Sequence, residues 1–251
     1  MRMPCRFAIS RPTSSAATSA GAGTGSRGSF ALLPMTAMNV ARDMRREDTG
    51  RVAEITPFHG LRYEEKIVGD LANVIAPPYD VISPAQQEEL YARDPFNIVR
   101  LELAKAEAGD DEIHNRYERA NRTLADWTER GALHVDYAPA LYLYDHHFPF
   151  RGRRLRRRGF FAALRLYDWG RGLVRPHEQT FAGPKQDRLW LLRATRTNIS
   201  PVFTLYDDAD ALVRGFLEDA IAHGPAELVA DVRQGQERHL LFRMEDRFAT
   251  R

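Results

Sequence analysis

The sequence predicts an α+β fold, in which a mixed sheet with hairpins is flanked by helices. Two aromatic-rich runs, residues 140–148 and 158–169, predict strands joined by a hairpin. A Gln234-Gly235 step in the tail predicts a second hairpin. Because these hairpins are mixed with segments of helical period, the α+β class is favoured over alternating βαβ units.

The clearest helical pattern places apolar residues at spacings of three and four, with Gly131 just beyond the last turn. These residues, assigned to core packing, are Ile113, Tyr117, Ala120, Leu124 and Trp127. A second helix is predicted to begin after Ser83, because Pro84 suits the first turn and Gln86 has the spacing of a capping box. It is expected to end near Ala92.

Further helices are predicted for residues 187–197 and 209–222, and further strands for residues 97–103 and 201–207. The stretch Ala-Pro-Pro-Tyr-Asp at residues 76–80 predicts a rigid turn. This turn either contains a cis proline and lines a pocket or simply ends a strand. In both cases it presents the side chain of Asp80 from a rigid support.

The overall composition is that of a globular protein with one or two domains. The chain has 251 residues, of which 43% are hydrophobic and 28% are charged. No apolar run approaches the roughly 18 residues needed to cross a membrane. The lone cysteine, Cys5, has no partner for a disulfide within the chain. We therefore expect a cytoplasmic protein without a membrane partner.

Residues 1–50 are predicted to be a disordered leader or the product of a start codon assigned too far upstream. They are rich in Ser, Thr, Ala, Gly and Arg and lack a sustained period. An organellar transit peptide also fits, since no acidic residue precedes Asp43. We favour the interpretation that the start codon is assigned too far upstream, so that Met35, Met38 or Met44 is the true first residue. Residues 51–251 hold 29 basic and 31 acidic side chains, so this part is not basic.

The stretch RPHEQTFAGPKQDR, residues 175–188, is the densest in reactive side chains. Glu178 follows His177 on a turn that begins with proline, and a carboxylate in this position can act as a general base. Neighbouring cations would keep it ionised and would neutralise an anionic substrate; they are Arg175, Lys185 and Arg188. The alternative is a charge-paired loop that supports the following helix.

Two other clusters receive a structural interpretation. Residues 151–159 contain six arginines, which could bind phosphates but fit a solvated hairpin tip better. His146 and His147 point to opposite faces of a strand, and no third ligand lies near them in the sequence. We therefore predict half-exposed strand histidines, no metal site, and no nucleic-acid partner.

Several segments together resemble the domain of unknown function 1015 family. They are FHGLRY, NVIAPPYDVIS, residues 94–101, and above all RPHEQTFAGPKQDRLWLLRATRTNISPVFTLYDD. The resemblance covers residues 56–244. It implies that residues 51–251 form the N-terminal portion of a protein of this type.

The family is distantly similar to ParB-like and sulfiredoxin-like folds, and some relatives are thought to phosphorylate free L-serine. The resemblance implies that Glu178 takes the proton from a hydroxyl of a small-molecule substrate. The cofactor implied is ATP or another nucleoside phosphate with Mg²⁺. The implied substrate- or phosphate-binding residues are Arg175, His177, Thr180, Lys185, Asp187, Arg188 and Asp80.

Family members of greater length continue into a motif of the type Asp-Gly-His-His-Arg-Tyr, which is expected to bind phosphates and metal. This sequence contains no such motif. We therefore expect half of the phosphoryl-transfer site to come from a partner, namely the protein's own C-terminal half. The alternative is a non-catalytic module that binds a ligand or a partner, and nucleic-acid binding ranks last.

Overall fold

The computed structural model describes residues 53–176 and 181–245, together with strand assignments at 9–10 and 30–36. Its strands are β1 Ile9–Ser10, β2 Phe30–Thr36, β3 Ile55–Thr56, β4 Gly60–Tyr63, β5 Leu133–Val135, β6 Ala140–Phe150, β7 Arg153–Arg165, β8 Glu227–Gln234 and β9 Glu237–Glu245. Its helices are α1 Glu65–Val68, α2 Leu71–Val74, α3 Pro84–Arg93, α4 Val99–Glu102, α5 Arg116–Glu129, α6 Ala182–Thr195 and α7 Leu212–Ala222. The predicted α+β class is confirmed.

The main sheet is antiparallel and has the strand order β2-β7-β6-β9-β8, with β3 also paired to β7. Both predicted hairpins are present. The first hairpin reverses direction at Arg151 and Gly152. Their φ angles, 49° and 74°, are both positive, as in the turn type whose twist matches that of the flanking strands. The second turns at Gly235, and its first strand, β8, has a bulge between Leu228 and Ala230. A smaller sheet has the order β1-β4-β5.

Alternate residues of β6 point to two different cores, as the pleat of a strand requires. Tyr142 and Tyr144 belong to the larger core, with residues of α2, α4 and α5. Leu141 and Leu143 belong to a smaller core, which packs against Leu217 of α7. Both faces of this central strand are therefore covered by apolar side chains.

The two helices with the strongest sequence signals are confirmed. The side chain of Ser83 accepts a hydrogen bond from Gln86, and the Gln86 side chain accepts one from the backbone of Ser83, which completes the capping box of α3. In α5, Ala120, Leu124 and Trp127 are buried as predicted. Ile113 was wrongly assigned to this stripe: it precedes the helix, which is capped by Asn115, and is 72% exposed.

Residues 97–103 do not form the predicted strand, because α4 occupies this position. Asn97 is fully buried, and its side-chain oxygen accepts a hydrogen bond from the backbone nitrogen of Val99 at 3.1 Å, which turns the chain into a helix. Ile98, Val99, Leu101 and Glu102 are also buried. This nearly continuous burial fits a helical turn that is enclosed on all sides better than a strand with one exposed face.

Other predictions differ from the structure or lie outside it. Residues 201–207 form no strand, although helices are present near the predicted 187–197 and 209–222. Within the described residues no peptide bond is cis, so the cis-proline alternative for residues 76–80 is wrong. That residues 1–50 are a disordered leader or a mis-assigned start stays a prediction; only β1 and β2 are assigned among them. The rest of that leader lies outside the described residues.

Candidate active site

The segments that carry the sequence motifs meet around one side chain, Arg188 of α6. Its guanidinium lies over the ring of Tyr79, with the central carbon 3.9 Å from the ring centre. Its Nη1 donates to the hydroxyl of Ser200 at 3.1 Å, and its Nη2 donates to the backbone oxygen of Glu102 at 2.9 Å. Arg188 thus connects the turn at residues 79–81, the end of α4 and the chain that follows α6.

Asp187 is the anionic centre of the same cluster. One carboxylate oxygen accepts hydrogen bonds from Arg116 Nη2 at 2.5 Å and from the Tyr117 hydroxyl at 2.8 Å. The other oxygen accepts from Nε of Arg188 at 2.9 Å. Two arginines and a phenol therefore hold this carboxylate in one orientation.

The environment of Asp187 favours its ionised form. Burial raises the pKa of the carboxyl group, but the hydrogen bonds and charge of Arg188, with Tyr117 and Arg116, outweigh burial and lower the pKa overall. Burial also raises the pKa of Tyr117, so this hydroxyl stays protonated and donates a hydrogen bond to Asp187. A lasting negative charge lies here between two cationic side chains.

A small cavity of about 200 Å³ opens beside this cluster. Its polar wall consists of Glu102, Arg116, Tyr117, Asp187 and Arg188, and leucines from α4 and α6 form the apolar side. Glu102 is almost fully buried, and its Oε1 accepts a hydrogen bond from the Ser200 hydroxyl at 2.9 Å. Most of this space is open to solvent, and the enclosed part holds about one water molecule, so the feature is a shallow crevice rather than a preformed ligand pocket.

The sequence-predicted site residues fall into three groups. Asp187 and Arg188 lie in the cluster. Asp80 is exposed and is next in the chain to Tyr79, whose ring contacts Arg188. Lys185 is exposed in the first turns of α6, and the exposed Arg175 donates Nε to the backbone oxygen of Gly172 at 3.0 Å. His177, Glu178 and Thr180 lie outside the described residues.

The structure adds polar residues that the sequence interpretation missed. Tyr117 was assigned to the core by its helical spacing; its ring packs against Trp190, with centroids 5.6 Å apart, while its hydroxyl binds Asp187. Arg116 and Glu102 were not singled out, and Ser200 was noted only as part of a motif. The cations near Asp187 in the sequence indicate that this carboxylate is paired. Only the fold shows that two of its partners, Arg116 and Tyr117, come from α5.

The arginine-rich hairpin is only partly a solvated tip. Arg158 donates Nε and Nη2 to the two oxygens of Asp145, at 2.6 and 2.5 Å. Arg156 donates to Glu218 at 2.9 Å, and Nη2 of Arg157 lies 3.4 Å from Nδ1 of His146. Arg151 lies over the ring of Phe150, with its central carbon 5.2 Å from the ring centre, so at least four of the six arginines contact other side chains.

The prediction of half-exposed histidines holds for only one of the pair. His147 is partly buried, whereas His146 is 1% exposed and has His239 and Glu237 of β9 beside it. No third ligand lies near His146 in the sequence, but the fold brings Glu237 and His239 next to it. Strand pairing, which the local sequence does not reveal, brings these residues together.

The fold and the cluster together define an α+β protein whose motif residues gather at the first turns of one helix. A family model described as "Protein of unknown function (DUF1015)" matches residues 55–250. Because this match spans most of the chain, the chain belongs to the DUF1015 family, as the resemblance predicted. No curated protein and no solved structure gives a significant match. Across the described residues, no helix has the length and apolar character to span a membrane.

Proposed function

We propose that the chain is part of a nucleotide-dependent kinase that phosphorylates a small hydroxyl compound such as free L-serine. The observation that carries this proposal is the arrangement at the start of α6. A Gly-Pro-Lys turn opens this helix, and the charged cavity lies one turn further along, at Asp187 and Arg188.

The first turn of α6 suits an anionic group for a general reason. The first backbone N–H groups of a helix lack partners within the helix, and its dipole is positive at this end. Phosphate groups therefore bind favourably at such positions. Lys185 adds a full positive charge in the same region, and it is exposed. A phosphate chain at this end would lie next to the cavity.

The charges beside the crevice are those that recognise an amino acid. An amino acid carries a carboxylate, which can pair with an arginine, and an ammonium group, which can pair with a carboxylate. Arg116 and Asp187 are paired with each other at 2.5 Å, so a substrate would have to open the crevice and replace this pair. Arg188 already donates to Asp187, Ser200 and Glu102, so its role is to position these groups rather than to bind phosphate.

The residues also fit the cofactor that the family resemblance implies. When bound, ATP or another nucleoside phosphate with Mg²⁺ supplies the phosphoryl group that is transferred. Lys185 and Arg175, both exposed, are the residues that would hold its phosphates. A cytoplasmic location, where nucleoside triphosphates are abundant, suits this activity.

Glu178 is the proposed general base, and it precedes the first residue of α6 by four positions. A carboxylate there would take the proton from the substrate hydroxyl, and the bound nucleotide would supply the phosphoryl group and leave one phosphate shorter. Lys185 and Arg175 neutralise the charge on the phosphate oxygens. Positioning and charge neutralisation are the main requirements of phosphoryl transfer.

The test is to incubate the chain, supplemented with the C-terminal half of a longer family member, with L-serine, Mg²⁺ and ATP or ADP, and to measure phosphoserine by mass spectrometry. Glu178→Gln is expected to lower the rate by about 10²–10⁴-fold, the usual contribution of a general base. Glu129→Gln, on the exposed face of α5, is the matched control and should leave the rate unchanged. Lys185→Met should raise the KM for the nucleotide, whereas Lys66→Met on α1 should not.

The absence of phosphoserine with every nucleoside phosphate would contradict the proposal, and so would a Glu178→Gln variant as active as the wild type. Calorimetric measurement of ligand binding distinguishes the kinase from the alternative, a non-catalytic binding module. If L-serine or the nucleotide binds but no product forms, the chain is a ligand-binding module. The same module could bind a partner through the exposed apolar residues of α6, Leu189, Trp190 and Leu192.

A further inference from the structure

Three potential metal ligands lie on one face of the main sheet, on two neighbouring strands. His146 of β6 is paired directly with His239 of β9 in the antiparallel register. Glu237 precedes His239 by two residues on the same strand, so its side chain points to the same face. None of the three lines the cavity beside α6. The sheet itself, rather than a loop, fixes their relative positions.

The distances between the ligand atoms are close to those of a metal site. Nε2 of His146 lies 2.9 Å from Oε2 of Glu237, and Nε2 of His239 lies 4.0 Å from the same oxygen. One ligand atom from each residue falls within 4.8 Å of the other two. With bonds of ~2.0–2.1 Å, two ligands of a tetrahedral zinc ion lie roughly 3.3 Å apart. Shifts of less than about 1.5 Å would reach this value.

The imidazole rings must turn to converge on one ion. They stack with centroids 4.5 Å apart and planes 13° from parallel, so their nitrogen lone pairs point in similar directions. The torsion that turns a histidine ring has a broad energy minimum, but both rings are buried, so the side chains packed on them must move as well. The hydroxyl of Tyr144 lies 2.7 Å from Nδ1 of His239. With the proton on Nδ1, Nε2 is the nitrogen that would coordinate the ion, and this contact fixes the ring, as the outer partners of metal ligands do.

The surroundings give a protected site with one entrance. His146 and His239 are 1% and 0% exposed, whereas the Glu237 side chain is 25% exposed. An ion can therefore enter past Glu237, and a water molecule can occupy the remaining coordination position on that side. Two histidines and one glutamate are a donor set found in zinc enzymes and also suit other first-row metals.

We propose that His146, His239 and Glu237 form a binding site for a divalent transition-metal ion, with zinc as the best match to the donor set. Arg157 competes with the ion. Its Nη2 lies 3.4 Å from Nδ1 of His146, which therefore accepts a hydrogen bond from it in the metal-free chain. If Nε2 of His146 binds an ion, the proton of this neutral ring must be on Nδ1. This proton would then face the N–H donor of Arg157. Arg157 must then move away, and its charge weakens the binding of a cation.

The test uses the full chain after treatment with a chelator, titrated with Co²⁺ alone and followed by visible absorption. Zn²⁺ is then added in competition. One equivalent of Co²⁺ is expected to give tetrahedral or five-coordinate bands, and Zn²⁺ should abolish them. Glu237→Gln, at the exposed rim, should weaken binding by at least about tenfold, and Tyr144→Phe by about 10-fold. Arg157→Gln should tighten binding.

His147→Gln is the matched control, because His147 is adjacent in sequence but points to the opposite face. It should leave the affinity unchanged, and thermal unfolding of each variant checks that it is folded. The proposal is overturned if neither the wild type nor Arg157→Gln binds one equivalent of Co²⁺. It is equally overturned if binding survives Glu237→Gln but is lost in His147→Gln. Neither outcome depends on kinase activity.

Discussion

The guanidinium of Arg188 lies over the ring of Tyr79, with its central carbon 3.9 Å from the ring centre, and joins two segments that are more than 100 residues apart in the chain. Such a contact is worth about 0.5–2 kcal/mol, depending on how much water is excluded. Tyr79 belongs to the turn that presents Asp80, so the contact also fixes that turn relative to α6. The turn and the helix therefore form one site rather than two separate surfaces.

Tyr79→Leu is expected to lower the free energy of unfolding by about 1 kcal/mol, because the ring face is lost. Tyr79→Phe retains the ring, so the difference between the two variants measures the contact with the guanidinium. Urea unfolding of Tyr79→Leu, Arg188→Met and the double variant gives the coupling energy between the two side chains. A coupling energy of zero would show that the stacking contributes nothing.

Gly60→Ala is expected to destabilise the protein by about 1–3 kcal/mol through overpacking. A Cβ atom at this position would lie 2.4 Å from the hydroxyl oxygen of Tyr142, which is fully buried and accepts a hydrogen bond from the Gly60 nitrogen at 2.9 Å. The ring has no space in which to move. Urea unfolding measures the change.

Gly215→Ala in α7 is the matched control for this substitution. No atom lies within 4 Å of a Cβ built at Gly215, and the residue is in a helix. Alanine should therefore stabilise the chain by about 0.5–1 kcal/mol. If Gly60→Ala were as stable as the wild type, the close approach of β4 to β6 would not be a constraint.

Stability should depend on pH through Asp136. This carboxylate is buried, receives two hydrogen bonds from Arg62 at 2.8 and 2.7 Å, and accepts one from Tyr142 at 2.5 Å. Burial raises its pKa, but Arg62, Tyr142 and Arg243 outweigh burial, and the pKa is lowered overall. The unfolded chain therefore binds a proton at a higher pH than the folded chain does. This contribution is fully present above a pH of about 4 and is lost as the pH falls through the lowered pKa.

Asp136→Asn is expected to cost about 3 kcal/mol at pH 7, because Arg62 loses its charged partner. The difference from the wild type should shrink at pH 3, where the unfolded wild type is protonated. Urea unfolding at both pH values measures this. Asp126→Asn is the control: its pair with Arg130 is exposed, so the change should stay within about 0.5 kcal/mol. A pH-independent difference for Asp136→Asn would contradict the assignment.

Asn97→Leu is expected to cost about 3 kcal/mol, because it leaves several buried backbone groups without partners. The Asn97 amide donates to the backbone oxygens of Asn73 at 2.6 Å and Ile75 at 3.2 Å, and its oxygen accepts from Val99. Asn73→Ala is the control, since that side chain is exposed. Thermal unfolding compares them, and equal melting temperatures would show that water replaces the lost contacts.

Features that depend on a few neighbouring residues could be predicted from the sequence. The capping box at Ser83, the helix that ends before Gly131 and both hairpins have local causes, and they appear as predicted. Residues 97–103 could not be predicted in this way, because the buried contacts of Asn97 come from residues 22–24 positions away. Burial on all sides removes the periodic pattern that distinguishes a helix from a strand.

The site shows the same division. The charged segment at residues 175–188 identified Asp187 and Arg188, which the structure brings together with the turn before Asp80. It did not reveal Arg116, Glu102 or the His146 cluster, because α5, α4 and β9 supply the partners. Glu178 lies outside the described residues, so its role stays a prediction.

The bulge in β8 has a consequence for self-association. Among the strands that the structure describes, β8 is the last on its side of the main sheet, so one row of its backbone groups has none of these strands beside it. An open row of this kind can template the addition of a strand from another molecule and start aggregation. The bulge between Leu228 and Ala230 bends the strand, and Glu227, Asp231 and Arg233 place exposed charges along it. The open side of the sheet is thereby protected against edge-to-edge growth.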